Sequence, residues 1–204
     1  MTRKHTALLL AIGIVVAAGE VGAAEWKKDG SKGGVTVYTK EVEGSKILQV
    51  KGVATIDAPT TDVWDHLVDR KKFLEAMPDV VESKDIGSCG DDCAYYYQKL
   101  HHPPLKDRHY VLKVKWKITE DEDGNKTYKR SWNATKAKKP PESGPMLLDK
   151  CKGYWKLVPK DGGEKTRITY VNHIEMGGKV PVLLVNNGAV SNAYEFLKNL
   201  KKAL

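Results

Sequence analysis

Beyond its first two dozen residues the chain has no apolar stretch long enough to cross a membrane as a helix. It is also poor in groups that do chemistry. Three cysteines are present, with no second pair and no histidine at zinc-ligand spacing, so a metal site has little support. None of the six histidines stands in a Ser/His/Asp or Cys/His pattern. His101 and His102 are adjacent, and adjacent extended residues point apart, which makes them a poor metal pair. No glycine-rich, phosphate-cradling loop carries a strand into a helix. Internal repeats and low-complexity linkers are missing too. These absences point away from catalysis, a resident cofactor or a metal, and toward binding.

The amino terminus does carry a pattern. Met1-Thr2-Arg3-Lys4-His5 is a short basic region, followed by an apolar run from Ala7 to Ala18 and by Val21-Gly22-Ala23-Ala24. That is the layout of a secretory signal cleaved after Ala23 or Ala24; the alternative, an uncleaved anchor, is disfavoured by the short run. Residues 1–24 are therefore expected as a signal and 25–204 as one domain, in a periplasmic or secreted location. Removing Arg3, Lys4 and Glu20 changes the net charge only from +8 to +7. The lysines are dispersed, which fits a solvated surface or a weak, transient attraction to an anionic membrane. Nucleic acid is not an expected partner of a secreted chain, and a monomer is expected. Cys89 and Cys93 flank the turn sequence Gly90-Asp91-Asp92, so a small hairpin disulfide is expected, with Cys151 left unpaired and buried.

Val35–Val42 and Lys46–Ile56 read as a hairpin around Glu43-Gly44-Ser45. Asp57–Thr61 supplies helix-cap residues, and two short helices follow, the second over Arg70–Met77. From Asp79 the chain is nearly all strand: Asp79–Ile86, Ala94–His101, Arg108–Thr119, Lys126–Lys136, Met146–Val158 and Thr166–Glu175, separated by Gly, Asn and Pro turns. Alternation is strict in several of them. Tyr110, Leu112, Val114 and Trp116 face one way and Lys113, Lys115 and Lys117 the other. Leu147, Asp149, Cys151 and Trp155 oppose Lys150, Lys152 and Lys156; Arg130 shares parity with Trp132, and Tyr170 with Asn172. This predicts an α+β protein: an antiparallel sheet with one wet, lysine-rich face and one apolar, aromatic face. After Gly177-Gly178-Lys179-Val180-Pro181, a helix to Leu204 carries an apolar arc about 180° wide, with Asn186 inside it. It is the natural cover for the concave side.

The layout resembles a START domain, the lipid-transfer family related to the steroidogenic acute regulatory protein. Gly34-Val35-Thr36-Val37-Tyr38 is similar to the family's opening strand. Tyr95–Leu100 with Pro103-Pro104-Leu105-Lys106-Asp107-Arg108 is similar to a strand, gating loop and arginine element. Pro140-Pro141-Glu142-Ser143-Gly144 and the Gly177–Pro181 stretch resemble the loop before the tunnel-lining strand and the start of the closing helix. The resemblance covers about residues 26–204. It implies a helix-grip fold, in which a curved antiparallel sheet wraps a long C-terminal helix over an apolar tunnel, with two short helices after the second strand. His109 replaces the family's Asp after Arg108. The acid–arginine pair of some members falls at Gln98 and Val114 here and is absent, so their ligand cannot be transferred to this chain.

The resemblance implies a carrier of a lipid, such as a sterol or phospholipid, rather than an enzyme. The alternative is an enzyme of the polyketide cyclase or hydrolase type on the same architecture. Candidate ligand contacts are Gln98; Tyr110, Leu112, Val114 and Trp116; Arg130 and Trp132; Leu147, Asp149 and Trp155; Tyr170 and Asn172; and Asn186, Val190 and Tyr194 of the closing helix. The same aromatics would also serve as ordinary core. Arg130 and Asp149 either pair inside the tunnel or, if parity slips at a bulge, both reach water. The loop His101–Asp107 and the last helix are expected to form the gate.

Overall fold

A computed structural model describes residues 25–204; the expected signal and its cleavage site lie outside the described residues. Ten strands form one sheet: β1 (Lys27–Lys32), β2 (Val35–Val42), β3 (Ser45–Ile56), β4 (Val80–Gly90), β5 (Cys93–Leu100), β6 (Arg108–Glu120), β7 (Lys126–Ala134), β8 (Met146–Leu147), β9 (Cys151–Lys160) and β10 (Lys165–Ile174). Helices α1 (Thr60–Val68) and α2 (Arg70–Ala76) join β3 to β4, and α3 (Val182–Ala203) closes the chain. The strand order is β1-β2-β3-β10-β9-β7-β6-β5-β4. The connection from β3 through the two helices to β4 spans the sheet from its middle to its far edge. That leaves α1 and α2 on the concave face, where Trp64 of α1 stacks on Tyr128 at 4.9 Å. The α3 helix lies across β2 and β3 on the same face; Leu197 reaches the floor of the sheet at Gly52, where an added Cβ would sit 2.6 Å from its Cδ1. The result is the α+β helix-grip fold.

Four details depart from the expected layout. β1 was not visible in the pattern, because Lys27–Lys32 is polar and largely exposed. As an edge strand it pairs with β2 through its backbone, with Ser31 and Thr36 sharing a hydroxyl hydrogen bond at 3.0 Å, and its lysines blunt the open edge. The two short helices therefore follow the third strand. Pro59, with no side-chain bond, stands at the cap of α1, and the Thr60 hydroxyl instead donates to the Lys126 carbonyl at 2.7 Å. The stretch Met146–Val158 is not one strand. β8 runs parallel to the start of β6, Leu148 N donates to His109 O at 2.8 Å, and β9 begins only at Cys151. Parity breaks in the gap, so Leu148 is buried while Leu147 and Asp149 are not.

The convex face is not uniformly wet either. Residues 135–150 fold over one end of it and bury Tyr97, His109 and Val111. Thr135 N donates to Val111 O at 2.8 Å, and the Tyr97 hydroxyl donates to Glu142, which also pairs with Lys99 at 3.1 Å. Cys89 and Cys93 are joined at the β4–β5 turn, with Cα atoms 5.0 Å apart, and Cys151 is free and buried.

Candidate functional site

Two adjoining chambers lie between the concave sheet and the helices, and Met77, Tyr110, Tyr170 and Asn172 stand in the walls of both. The first, about 190 Å³, is partly polar. Uninterrupted alternation in β6, β7 and β10 turns Tyr110, Leu112, Val114, Arg130, Trp132, Tyr170 and Asn172 toward it, and Gln98 and Trp155 join them from β5 and β9. The Tyr110 hydroxyl donates to Gln98 Oε1 at 3.1 Å, and Gln98 Nε2 donates to Ser83 Oγ at 3.3 Å. Trp132 Nε1 donates to Asn172 Oδ1 at 3.2 Å. Burial raises the pKa of Tyr110 and Tyr170 and pushes the Cys151 thiol up to about 12, so all three stay protonated at neutral pH.

Arg130 sits in this wall with its guanidinium 4.8 Å from the Tyr96 ring centroid and 5.2 Å from that of Trp155. Burial lowers its pKa, against upward pulls from Tyr96 and Asp85. It has no ion-pair partner among the described residues. The Asp85 Oδ1 atom accepts from Gly87 N at 2.8 Å, which holds that carboxylate in its own turn.

The second chamber, about 350 Å³, is apolar. Val50, Leu100 and Ile174 supply its sheet side, Pro103, Pro104 and Leu105 its loop side, and Val185 and Ala189 its helix side. Val185, Gly188, Ala189 and Asn192 follow the i, i+3, i+4, i+7 rule and form the stripe of α3 that closes it. At this chamber Asn192 donates to Asp79, and His102 of the loop lies 3.8 Å from the same carboxylate. Three segments thus meet at Asp79: the loop 101–107, the α2–β4 turn and α3. The first turn of α3 beside the opening leaves Val182, Leu183 and Leu184 exposed.

Six expected contacts lie elsewhere. Trp116 packs half-buried on the core opposite Arg130, where β6 outruns the covering helices and Ile118 is already exposed. Leu147 is half-exposed, and Asp149 is exposed and faces Lys136 at 3.8 Å, because the strand breaks between β8 and β9. The pairing of Arg130 with Asp149 does not form: the arginine is inside and the acid outside. Asn186 Oδ1 accepts from Leu48 N at 2.9 Å, and its amide donates to the Lys46 carbonyl, so it ties α3 to the edge of β3. Val190 and Tyr194 pack on the core beside it, and the Tyr194 hydroxyl is buried without a partner among the described residues. The wide apolar arc of α3 is two stripes: one packs on the sheet and the other faces the chamber.

Sequence reasoning also missed wall residues. Tyr96 shares parity with Gln98 and was legible from it. Ser83 and Asp85 were not, because β4 shifts register against β5 at three places. Phe73 and Met77, four apart at the end of α2, carry a helical signal too short to orient.

Comparison with known proteins gives a consistent set of likenesses. The family model that matches, over residues 56–201, is described as polyketide cyclase / dehydrase and lipid transport. An uncharacterized protein of Pseudomonas aeruginosa is 32% identical over 196 residues, covering 96% of this chain and 94% of that one. The phosphatidylcholine transfer protein of Mus musculus is 24% identical over 185 residues, covering 88% of this chain and 84% of its own. The crystal structure of a STAR-related lipid transfer protein from Xanthomonas axonopodis superposes with a TM-score of 0.74 at 28% identity, over 87% of this chain and 97% of that one.

Proposed function

Because the chain belongs to the polyketide cyclase / dehydrase and lipid transport family and has the START helix-grip fold, we propose that it binds a lipid in the paired chambers and carries it between membrane surfaces without transforming it. The observation that carries the reading is the apolar chamber, closed by a proline-stiffened loop and one stripe of α3, with Val182, Leu183 and Leu184 exposed beside it. Burying alkyl surface there gains roughly 25 cal/mol per Å² and requires no catalyst. An enzyme of the cyclase type would need a base aimed at its ligand, whereas the Tyr110 and Tyr170 hydroxyls and the Cys151 thiol are held protonated by burial, and the carboxylates of Asp79 and Asp85 are engaged by Asn192 and by Gly87.

Membrane contact is part of the proposal. Three consecutive exposed aliphatic residues, with Lys179 just before them in the chain, suit shallow insertion into an anionic surface. The signal-like amino terminus and the Cys89–Cys93 disulfide support a periplasmic or secreted location. The lysine-blunted edge strand β1 supports a monomer. Transfer of a fluorescent phospholipid or sterol from donor to acceptor vesicles tests the reading. Transfer should rise with protein concentration and fall when Leu183 and Leu184 are replaced by Glu. No transfer of either lipid class, in vesicles with or without anionic lipid, would overturn it.

A further inference from the structure

Arg130 is the feature that the carrier reading leaves unexplained. Parity in β7 turns it to the inner face with Trp132, where the rings of Tyr96 and Trp155 flank it. Arg130 is only partly exposed; a guanidinium withdrawn from water needs an opposite charge or a full set of acceptors, and the Tyr96 side chain with the aromatic faces makes up only part of that loss. Asp149, the acid whose parity suggested a pair, is outside with Lys136. Asp85, the acid on the same wall, is held by Gly87. A second guanidinium, Arg70 at the start of α2, stands exposed on the rim of the same chamber. Ser83, Gln98 and Tyr110 form a chain of hydrogen bonds beside them. The chamber therefore carries two guanidiniums against the single carboxylate of Asp85, with neutral polar groups beside them, and shares walls with a chamber that is apolar.

We infer that the protein selects an anionic amphiphile, with its phosphate or carboxylate on Arg130 in the polar chamber and its acyl chain in the apolar chamber beneath α3. Arg130 is suited to this because its planar donors match either oxyanion in a bidentate fork. Arg70 at the rim adds attraction during entry. The inference rests on the lipid-carrier reading and narrows its ligand class.

Two matched ligand pairs test it with the full-length protein, first stripped of bound lipid: oleate against oleyl alcohol, and dioleoylphosphatidic acid against dioleoylglycerol. Binding is read by displacement of a fluorescent fatty-acyl probe. The anionic member of at least one pair should bind roughly tenfold or more tightly than its neutral twin, the scale of a hydrogen bond to a charged group. A preference confined to the first pair identifies a carboxylate ligand, and one confined to the second a phosphate. R130Q should erase the difference between the members of a pair, and R130K should retain part of it, with thermal melts showing that both variants fold. If R130Q does not fold, the wild-type and R130K ratios decide. Equal binding of anionic and neutral members by the wild type, or a preference that survives in R130Q, overturns the inference and leaves the carrier reading standing. Binding of none of the four ligands overturns the inference, and the vesicle transfer of phospholipid and sterol then decides the carrier reading by itself.

Discussion

A methyl group on Gly153 would lie 2.7 Å from the Trp132 ring and closer still to the Val171 carbonyl, which is backbone and cannot swing aside. Gly153 is therefore what lets Trp132 lie flat over β9 and form a chamber wall. Gly153→Ala should destabilise the protein by about 1–3 kcal/mol, as overpacking does. A lowered midpoint in urea at unchanged slope would check this, and an unchanged midpoint would contradict it. The cysteines give a second residue-scale prediction. Cys89 and Cys93 are joined, and Cys151 is buried with its thiol pushed up to about 12. Native protein should expose no thiol to a disulfide reagent at pH 8, and unfolding without reductant should release one; three would contradict the pairing. At this scale, side-chain direction was legible in the sequence wherever a strand ran unbroken, as for Tyr110, Leu112, Arg130 and Tyr170. It was lost at Leu147 and Asp149, because parity does not survive the interruption between β8 and β9, and nothing in their composition marks it.

At the scale of elements, α3 is a gate that is also a structural member. Asn186 and Leu197 fasten it to β3, while Val185, Gly188, Ala189 and Asn192 close the chamber. The fastened stripe explains why the apolar arc was wider than a surface helix requires, and why Asn186, Val190 and Tyr194 pack on the sheet rather than line a chamber. Hydropathy records that a face is buried, not whether protein or ligand covers it. Ligand entry has to move an element with few ladder hydrogen bonds, and the loop 101–107 is such an element. A disulfide engineered between this loop and the first turn of α3 should slow lipid exchange severalfold under oxidising conditions, with recovery on reduction. Stopped-flow transfer of a fluorescent lipid measures it, and equal rates in the two redox states would contradict the gate.

For the whole molecule, the helix-grip order was legible because each turn signal was local and each long strand alternated. β1 escaped because a polar edge strand has no apolar face to announce it. The folded chain also keeps His66, His109 and His173 largely out of water, and burial lowers the pKa of all three. Lys72 reinforces this at His66 against Glu75 and Asp69; Lys99 does so at His109 against Glu142; Lys152 and Lys150 do so at His173 against Glu175 and the Leu48 carbonyl. The unfolded chain takes up these protons near the ordinary value of 6.5 while the folded chain does not. Stability is therefore fully present above 6.5 and falls as pH drops below it. Below 4.5, protonation of Glu142 and Glu82, whose pKa values are lowered by Tyr97 and Lys84, removes more. The melting temperature should hold from pH 7.5 to about 6.5 and decline from there to pH 4, and a flat profile would contradict this.

The central claim is that one lipid occupies the chambers of one chain. Native mass spectrometry of the protein purified without detergent tests it most directly. The account predicts a species heavier than the chain by the mass of a single acyl-bearing lipid, which organic extraction removes and incubation with vesicles restores. A spectrum showing only the bare chain, both as purified and after incubation with vesicles of mixed neutral and anionic lipid, would contradict it.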